Sequence, residues 1–134
     1  MKNPGIEVSY TDRILHVLFK NNVVVSASDL HEFYSFGVEH AKGKKYCVIF
    51  EALGHYELAE ETIDLMTENP YNDQLLAKAY VVNSKEVEIK TNLHLRFDRP
   101  DLKPMAFRTA TEGEKWLRSI LNLYDADMLH LPNK

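Results

Sequence analysis

The chain has one cysteine among its 134 residues. Cys47 lies within the apolar run YCVIF, and a lone cysteine cannot close an internal disulfide, so we expect a small buried side chain rather than a reactive thiol. Six histidines are present, but they are scattered, and neither paired cysteines nor an H-E-x-x-H motif accompanies them. No metal site is therefore predicted.

The sequence also lacks clustered glycines. Its five glycines occur singly, so no G-x-G-x-x-G or Walker A loop can cradle the phosphates of a nucleotide. A G-x-S-x-G nucleophile motif and a catalytic-cysteine signature are absent as well. These absences predict a non-enzymatic protein with no catalytic residues and no cofactor.

Long hydrophobic runs and basic clusters are missing too. No stretch approaches the roughly 20 apolar residues of a membrane span, and the first ten residues lack the apolar core of a signal peptide. Sixteen basic against twenty acidic side chains give a net charge of −4, which disfavours nucleic acid as a partner. We expect a cytoplasmic protein without stable membrane insertion.

What is present is the composition of a folded domain, with 45% apolar and 27% charged residues. The length suits one hydrophobic core. We therefore predict a single domain over residues 1–134, with residues 1–5 and 125–134 as flexible tails.

The hydrophobic pattern predicts alternating strands and helices. Two β-rich runs separated by a short polar turn indicate an N-terminal hairpin, and apolar residues at helical spacing from Ser28 to Gly43 indicate a first helix. The remaining predicted elements are a buried strand at Lys45–Phe50, a helix after Gly54 that ends at Asn69, a strand at Leu76–Val82, a helix from residue 84 or 85 to about 95, a strand at Met105–Arg108, and a helix capped by Thr111 and Glu114.

The second half of the chain carries the most specific pattern. A strand ending in V-V-N-S at Val81–Ser84 leads into a helix, a proline-containing turn at Arg99–Pro104, the strand Met105–Arg108 and a helix with E-x-x-x-W-L at Glu112–Leu117. This arrangement resembles uncharacterised bacterial STAS-like proteins with the SpoIIAA-like fold. The resemblance implies an α/β domain with a mixed five-stranded sheet, an N-terminal β-hairpin, four helices and a regulatory, partner-binding role.

The antagonists that define the STAS fold carry a phosphorylatable Ser or Thr after the third strand, at the start of the next helix. Here that segment is Glu51–Glu61, which contains neither residue. The resemblance therefore does not extend to the phospho-switch. Thr62 follows inside the helix and is interpreted as an ordinary helical residue, and Tyr56 is the remaining hydroxyl in the segment.

Four carboxylates follow at helical spacing and would share one face of the second helix. This face is either an ordinary solvated surface or a docking site for a basic protein partner. The second interpretation gains weight from the resemblance, which places this helix on the recognition side of STAS antagonists. The predicted partner-binding residues are Glu57, Glu61, Asp64 and Glu68.

Aromatic side chains supply the alternative function. Most should fill the core, but an apolar pocket between helices and sheet would suit a carrier or sensor of a small apolar or lipid-like ligand. The predicted pocket residues are Phe33, Phe36, Leu93 and Phe97. The hairpin also leaves a sheet edge, which predicts that the protein can form a homodimer.

Overall fold

A mixed five-stranded sheet forms the centre of the computed structural model, which describes residues 1–67, 73–89 and 103–130. In chain order the elements are β1 (Ile6–Thr11), β2 (Ile14–Phe19), β3 (Val23–Val25), α1 (Ala27–Ala41), β4 (Tyr46–Ala52), β5 (Tyr56–Leu58), α2 (Glu60–Thr67), β6 (Leu75–Val81), α3 (described over residues 85–89), β7 (Lys103–Phe107) and α4 (Ala110–His130).

The strand order in the main sheet is β1-β2-β4-β6-β7. β1 pairs antiparallel with β2, and each further neighbour is parallel. Parallel neighbours need long crossovers, which here contain helices. The described residues thus hold four helices and a mixed five-stranded sheet, which confirms the predicted fold class.

The N-terminal hairpin turns through Asp12 and Arg13, both of which have positive φ angles of 50° and 68°. Two consecutive left-handed residues match the turn that suits the twist of a hairpin. Arg13 is not glycine, so its conformation needs support. Its Nη1 lies 2.9 Å from an Asp125 carboxylate oxygen, and its Nε donates to the Lys45 carbonyl at 2.9 Å. The turn is therefore held by α4 and by the start of β4.

Each face of the sheet has its own hydrophobic core. Phe33 of α1, Phe50 of β4 and Val87 of α3 belong to the first core, whereas Leu117 and Leu121 of α4 belong to the second. β4 contributes to both, as the unbroken apolar run predicted for a strand covered on two sides. Helix α4 therefore packs on the face opposite α1 and α3.

A second, two-stranded sheet was not predicted. β3 and β5 pair in parallel, with Val23 opposite Tyr56 and Val25 opposite Leu58. Each strand has only three residues, too few to establish a periodicity. In the chain, β3 connects β2 to α1, and β5 connects β4 to α2.

The capping of α4 differs from the prediction. The N-cap is Thr109, whose Oγ1 accepts from the Glu112 amide at 3.2 Å and donates to the Glu112 carboxylate at 3.0 Å. The predicted pair, Thr111 and Glu114, lies inside the helix. The prediction chose the wrong pair because the same T-x-x-E spacing occurs twice in the sequence. The helix also continues to His130, so residues 125–130 are helical.

β1 lies at one edge of the sheet. An edge strand presents backbone groups that another chain can pair with, which is the physical basis for the expected homodimer. No second copy is described, so self-association stays a prediction.

Close packing of α1 on the sheet generates the first testable prediction. A Cβ atom on Gly37 would lie 2.9 Å from the Tyr46 ring and 3.0 Å from Leu15 Cδ2. We expect Gly37→Val to lower the free energy of unfolding by about 1–3 kcal/mol, because the buried neighbours must shift. Glu39→Val is the matched control, since it places the same side chain on an exposed part of the same helix. Urea unfolding that gives equal losses for both variants would contradict the packing.

Candidate functional site

The loop between β4 and β5, residues 53–55, lies at the carboxyl end of the central strand. Its backbone is fixed: the Leu53 amide donates to the Phe19 carbonyl at 2.9 Å, and the His55 amide donates to Asn21 Oδ1 at 3.0 Å. The Asn22 amide donates to the His55 carbonyl at 2.6 Å. The side chain of Leu53 nevertheless projects outward, and the residue is 61% exposed. The loop therefore holds one apolar side chain in solvent.

Glu57 does not lie on α2, which corrects the predicted four-carboxylate face. It belongs to β5, opposite Val24 of β3, and α2 begins only at Glu60. The preceding Tyr56 is buried between the small sheet and the core, a long-range contact that helical spacing does not reveal. Glu61 and Asp64 do lie on α2, and Glu68 lies outside the described residues.

The carboxylates that the structure brings to this side are Glu57 on β5 and three exposed residues of α2, together called the acidic surface: Glu57, Glu60, Glu61 and Asp64. Glu60 was not among the predicted residues, because the assumed helical register began one turn too early. Glu60 and Glu61 stand in the first turn of α2, where the helix dipole favours negative charge.

The carboxylates of the acidic surface differ in their contacts with basic side chains. Glu57 Oε1 lies 3.2 Å from Nε2 of His55, whose Nδ1 contacts the Glu86 carboxylate of α3. By contrast, Glu60, Glu61 and Asp64 make no ion pair with any residue in the described ranges. The three α2 carboxylates thus keep their charge available to a molecule outside the chain.

Thr62 is the first hydroxyl after the segment that carries the phosphorylated residue in STAS antagonists. It is fully buried, and its Oγ1 donates to the Val25 carbonyl at 2.8 Å. That bond ties α2 to β3. A kinase cannot reach this hydroxyl in the folded protein, and Tyr56 is buried as well.

An apolar pocket does lie between α1, α3 and the first face of the sheet. Its aromatic floor includes Phe33 and Phe50, whose ring centroids are 5.7 Å apart, and Tyr80, whose ring stacks on Phe50 at 5.3 Å. Its volume is about 30 Å³. A single water occupies about this share of liquid volume, so the space is far too small for a lipid-like ligand.

Of the two predicted pocket residues that the structure describes, Phe33 lines this pocket and Phe36 does not. Phe36 also lies on α1, but its ring packs against His40, with the two ring centroids 4.1 Å apart. It lies close to Val8 of β1 rather than in the pocket. Leu93 and Phe97 lie outside the described residues. The predicted lining is therefore not assembled by the residues that the structure describes.

Cys47 is inaccessible on the central strand. Burial raises the pKa of its thiol to about 12, which leaves it protonated at neutral pH. Within the described ranges, no three His, Cys, Asp or Glu side chains are arranged to hold a metal ion. The same part of the chain contains no helix with the length and apolar content that crossing a membrane requires.

Comparison with known proteins identifies a family for the chain and a solved structure with a similar fold. A family profile, "Domain of unknown function (DUF7793)", matches residues 8–121. The chain belongs to the DUF7793 family. The fold of this DUF7793 protein is similar to the crystal structure of an uncharacterized DUF3478-family protein with a SpoIIAA-like fold from Shewanella loihica PV-4. The TM-score is 0.53 at 14% identity, over 84% of this chain and 91% of that chain.

The comparison with curated proteins gives no match. At 14% identity the structural similarity establishes the fold, which is SpoIIAA-like as the second half of the sequence predicted. Similarity of fold does not assign a function, which depends on the side chains of the DUF7793 protein itself.

Thr62 provides a test of the fixed arrangement of α2. We expect Thr62→Val to lower the free energy of unfolding by about 1 kcal/mol, because it removes one buried hydrogen bond. Thr62→Glu, which imitates a phosphate, should cost at least about 3 kcal/mol because it buries an unpaired charge. Asp64→Glu is an exposed control on the same helix. Chemical denaturation measures all three, and an unfolding curve for Thr62→Glu that matches the wild type would exclude this placement of the hydroxyl.

The thiol of Cys47 provides a second test. In the folded protein at about pH 8.5, where an ordinary thiol is half ionised, we expect no measurable reaction with a disulfide reagent over hours. Addition of denaturant should expose the thiol and give one equivalent of released chromophore. Rapid reaction of the native protein would mean that β4 is accessible, and a Cys47→Ala variant controls for non-specific colour.

Proposed function

We propose that this DUF7793 protein is a non-enzymatic regulatory domain that binds a protein partner with a basic segment through the acidic surface. The observation that carries the proposal is the set of α2 carboxylates, Glu60, Glu61 and Asp64, which are exposed and make no ion pair within the described ranges. Glu68, which follows on the sequence, remains part of the proposed contact.

Electrostatic repulsion supports a basic partner. Glu60 and Asp64 are four residues apart on α2, and like charges at this spacing cost a few tenths of a kcal/mol on a helix. A partner's lysine or arginine would relieve that repulsion and would also steer the encounter at long range. Such binding should weaken as salt screens the charges.

The neighbouring loop supports a protein rather than a free cation. Leu53 is exposed on a backbone fixed by three hydrogen bonds to residues of β2 and the following turn. An exposed apolar side chain on a fixed backbone, in the loop that leads to Glu57, suits a protein contact, in which an apolar anchor is surrounded by a polar rim.

Ligand carriage receives less support. The pocket lined by Phe33, Phe50 and Tyr80 has a volume of about 30 Å³, whereas pockets for small molecules usually hold some 300–1,000 Å³. Catalysis is supported less still, because burial keeps the Cys47 thiol protonated and inaccessible. Partner binding is therefore preferred over both.

Charge reversal on α2 tests the proposal. Wild-type protein and the double variant Glu61→Lys/Asp64→Lys are immobilised and used to retrieve partners from extracts of the source organism at about 0.1 M and about 0.5 M salt. We expect at least one polypeptide to be retained by the wild type at low salt and lost from the variant. Quantitative mass spectrometry gives the retained fraction.

The matched control is Glu39→Lys/Asp127→Lys, in which two exposed acids of α1 and α4 are reversed and the net charge changes by the same amount. This control should retain the partner. Retention by the α2 variant equal to that of the wild type, or equal loss from both double variants, would refute a specific role for the acidic surface.

A further inference from the structure

The helices that follow β6 and β7 leave the sheet on opposite faces. Val87 of α3 packs in the core beneath α1, whereas Leu117 of α4 packs in the core on the other side. The strands themselves are parallel neighbours. Where adjacent parallel strands send their connections to opposite faces, a crevice opens beyond their carboxyl ends, and ligands of open α/β sheets bind there.

A crevice is present at this position. Residues 82–85 and 88, which follow β6, form one wall, and residues 106–108, at the end of β7, form the other. Its volume is about 560 Å³, within the range of small-molecule sites and much larger than that of the aromatic pocket. A hydrogen bond joins the two strand ends: the Val82 amide donates to the Phe107 carbonyl at 2.6 Å.

The charges around the crevice differ in sign from those of the acidic surface. Lys85 and Arg108 contribute one cation from each wall, and neither forms an ion pair with a described residue. Glu88 is the carboxylate in the lining. The adjacent Glu86 contacts His55 instead and is not part of the lining.

The other polar side chains of the lining are already engaged. Asn83 Nδ2 donates to the Ala52 carbonyl at 3.1 Å, and Ser84 Oγ accepts from the Val87 amide at 3.2 Å. These bonds fix the chain that leads from β6 to Lys85. Apolar surface in the crevice comes from Val82, Ala106 and Phe107.

We propose that this crevice binds a small organic anion, with its phosphate or carboxylate group between Lys85 and Arg108 and its apolar part against Phe107. Two cations on opposite walls suit an anion that accepts hydrogen bonds from both, because charge-assisted bonds are the stronger ones. The apolar wall favours an organic anion over inorganic phosphate. The crevice shares no residue with the acidic surface, so this inference is independent of partner binding.

Phenyl phosphate is the probe, with phenol as its uncharged counterpart and inorganic phosphate as the counterpart without a ring. Amide chemical shifts of ¹⁵N-labelled protein are followed during titration up to about 10 mM, enough to saturate a site with a Kd of about 1 mM. We expect saturable shifts at Ser84, Lys85 and Arg108 with phenyl phosphate, and a weaker response to either counterpart.

Variants at the walls make the test directional. Arg108→Glu and Lys85→Glu should each weaken binding about tenfold or more, whereas Glu88→Gln should strengthen it. Lys115→Glu, at an exposed position of α4, changes the net charge equally and should leave the Kd unchanged. Thermal melting checks that the variants fold, and Arg108→Gln provides a neutral replacement if Arg108→Glu does not.

The proposal is overturned by the absence of saturable shifts around the crevice. It is equally overturned if Lys115→Glu weakens binding as much as Arg108→Glu, because the attraction would then come from net charge alone. If phenol bound as tightly as phenyl phosphate, the phosphate group would contribute nothing to binding, and the proposed contact with Lys85 and Arg108 would be wrong.

Discussion

The burial of β4 on both faces is the constraint on which the other elements depend. Tyr46, Val48 and Phe50 face one core, and Cys47 and Ile49 face the other. A strand with apolar side chains on both faces must be covered on both. Helices α1 and α3 supply the cover on the first face and α4 supplies it on the second. The hairpin turn follows from the same arrangement, since Arg13 is held between the start of β4 and Asp125 of α4.

Because both faces of the sheet are covered, the charged side chains of the acidic surface and of the crevice lie beyond the carboxyl ends of the parallel strands. The carboxyl ends of β4, β6 and β7 lead into loops and helix starts, where side chains escape the cores. The acidic surface follows β4, and the crevice with Lys85 and Arg108 follows β6 and β7. His55 lies between them and contacts both Glu57 and Glu86. The imidazole of His55 thus lies between the acidic surface and the crevice, with one carboxylate in contact with each of its ring nitrogens.

The sequence predicted the features that local pattern encodes. The apolar run of β4 and the helical stripe of α1 are strong periodic signals, and both are confirmed. The three-residue strands β3 and β5 were missed because their pairing joins residues far apart in sequence. Because β5 was missed, Glu57 was assigned to the second helix. The pairing of Tyr56 with Val23 places Glu57 on a strand instead. Similarly, a repeated T-x-x-E spacing cannot show which threonine caps α4; the contact between Thr109 and Glu112 decides it.

The first turn of α2 carries permanent negative charge at the place where STAS antagonists carry a charge that can be switched. In STAS antagonists a phosphate adds about 1.5–2 negative charges near a helix start, and removal of the phosphate reverses the change. Here Glu60 and Glu61 place two carboxylates in that turn permanently, while the hydroxyl of Thr62 is buried in a bond to Val25. A partner that recognises these carboxylates therefore meets the same charge at all times. The proposed binding is therefore not controlled by phosphorylation of Thr62 in the folded protein, because that hydroxyl is buried.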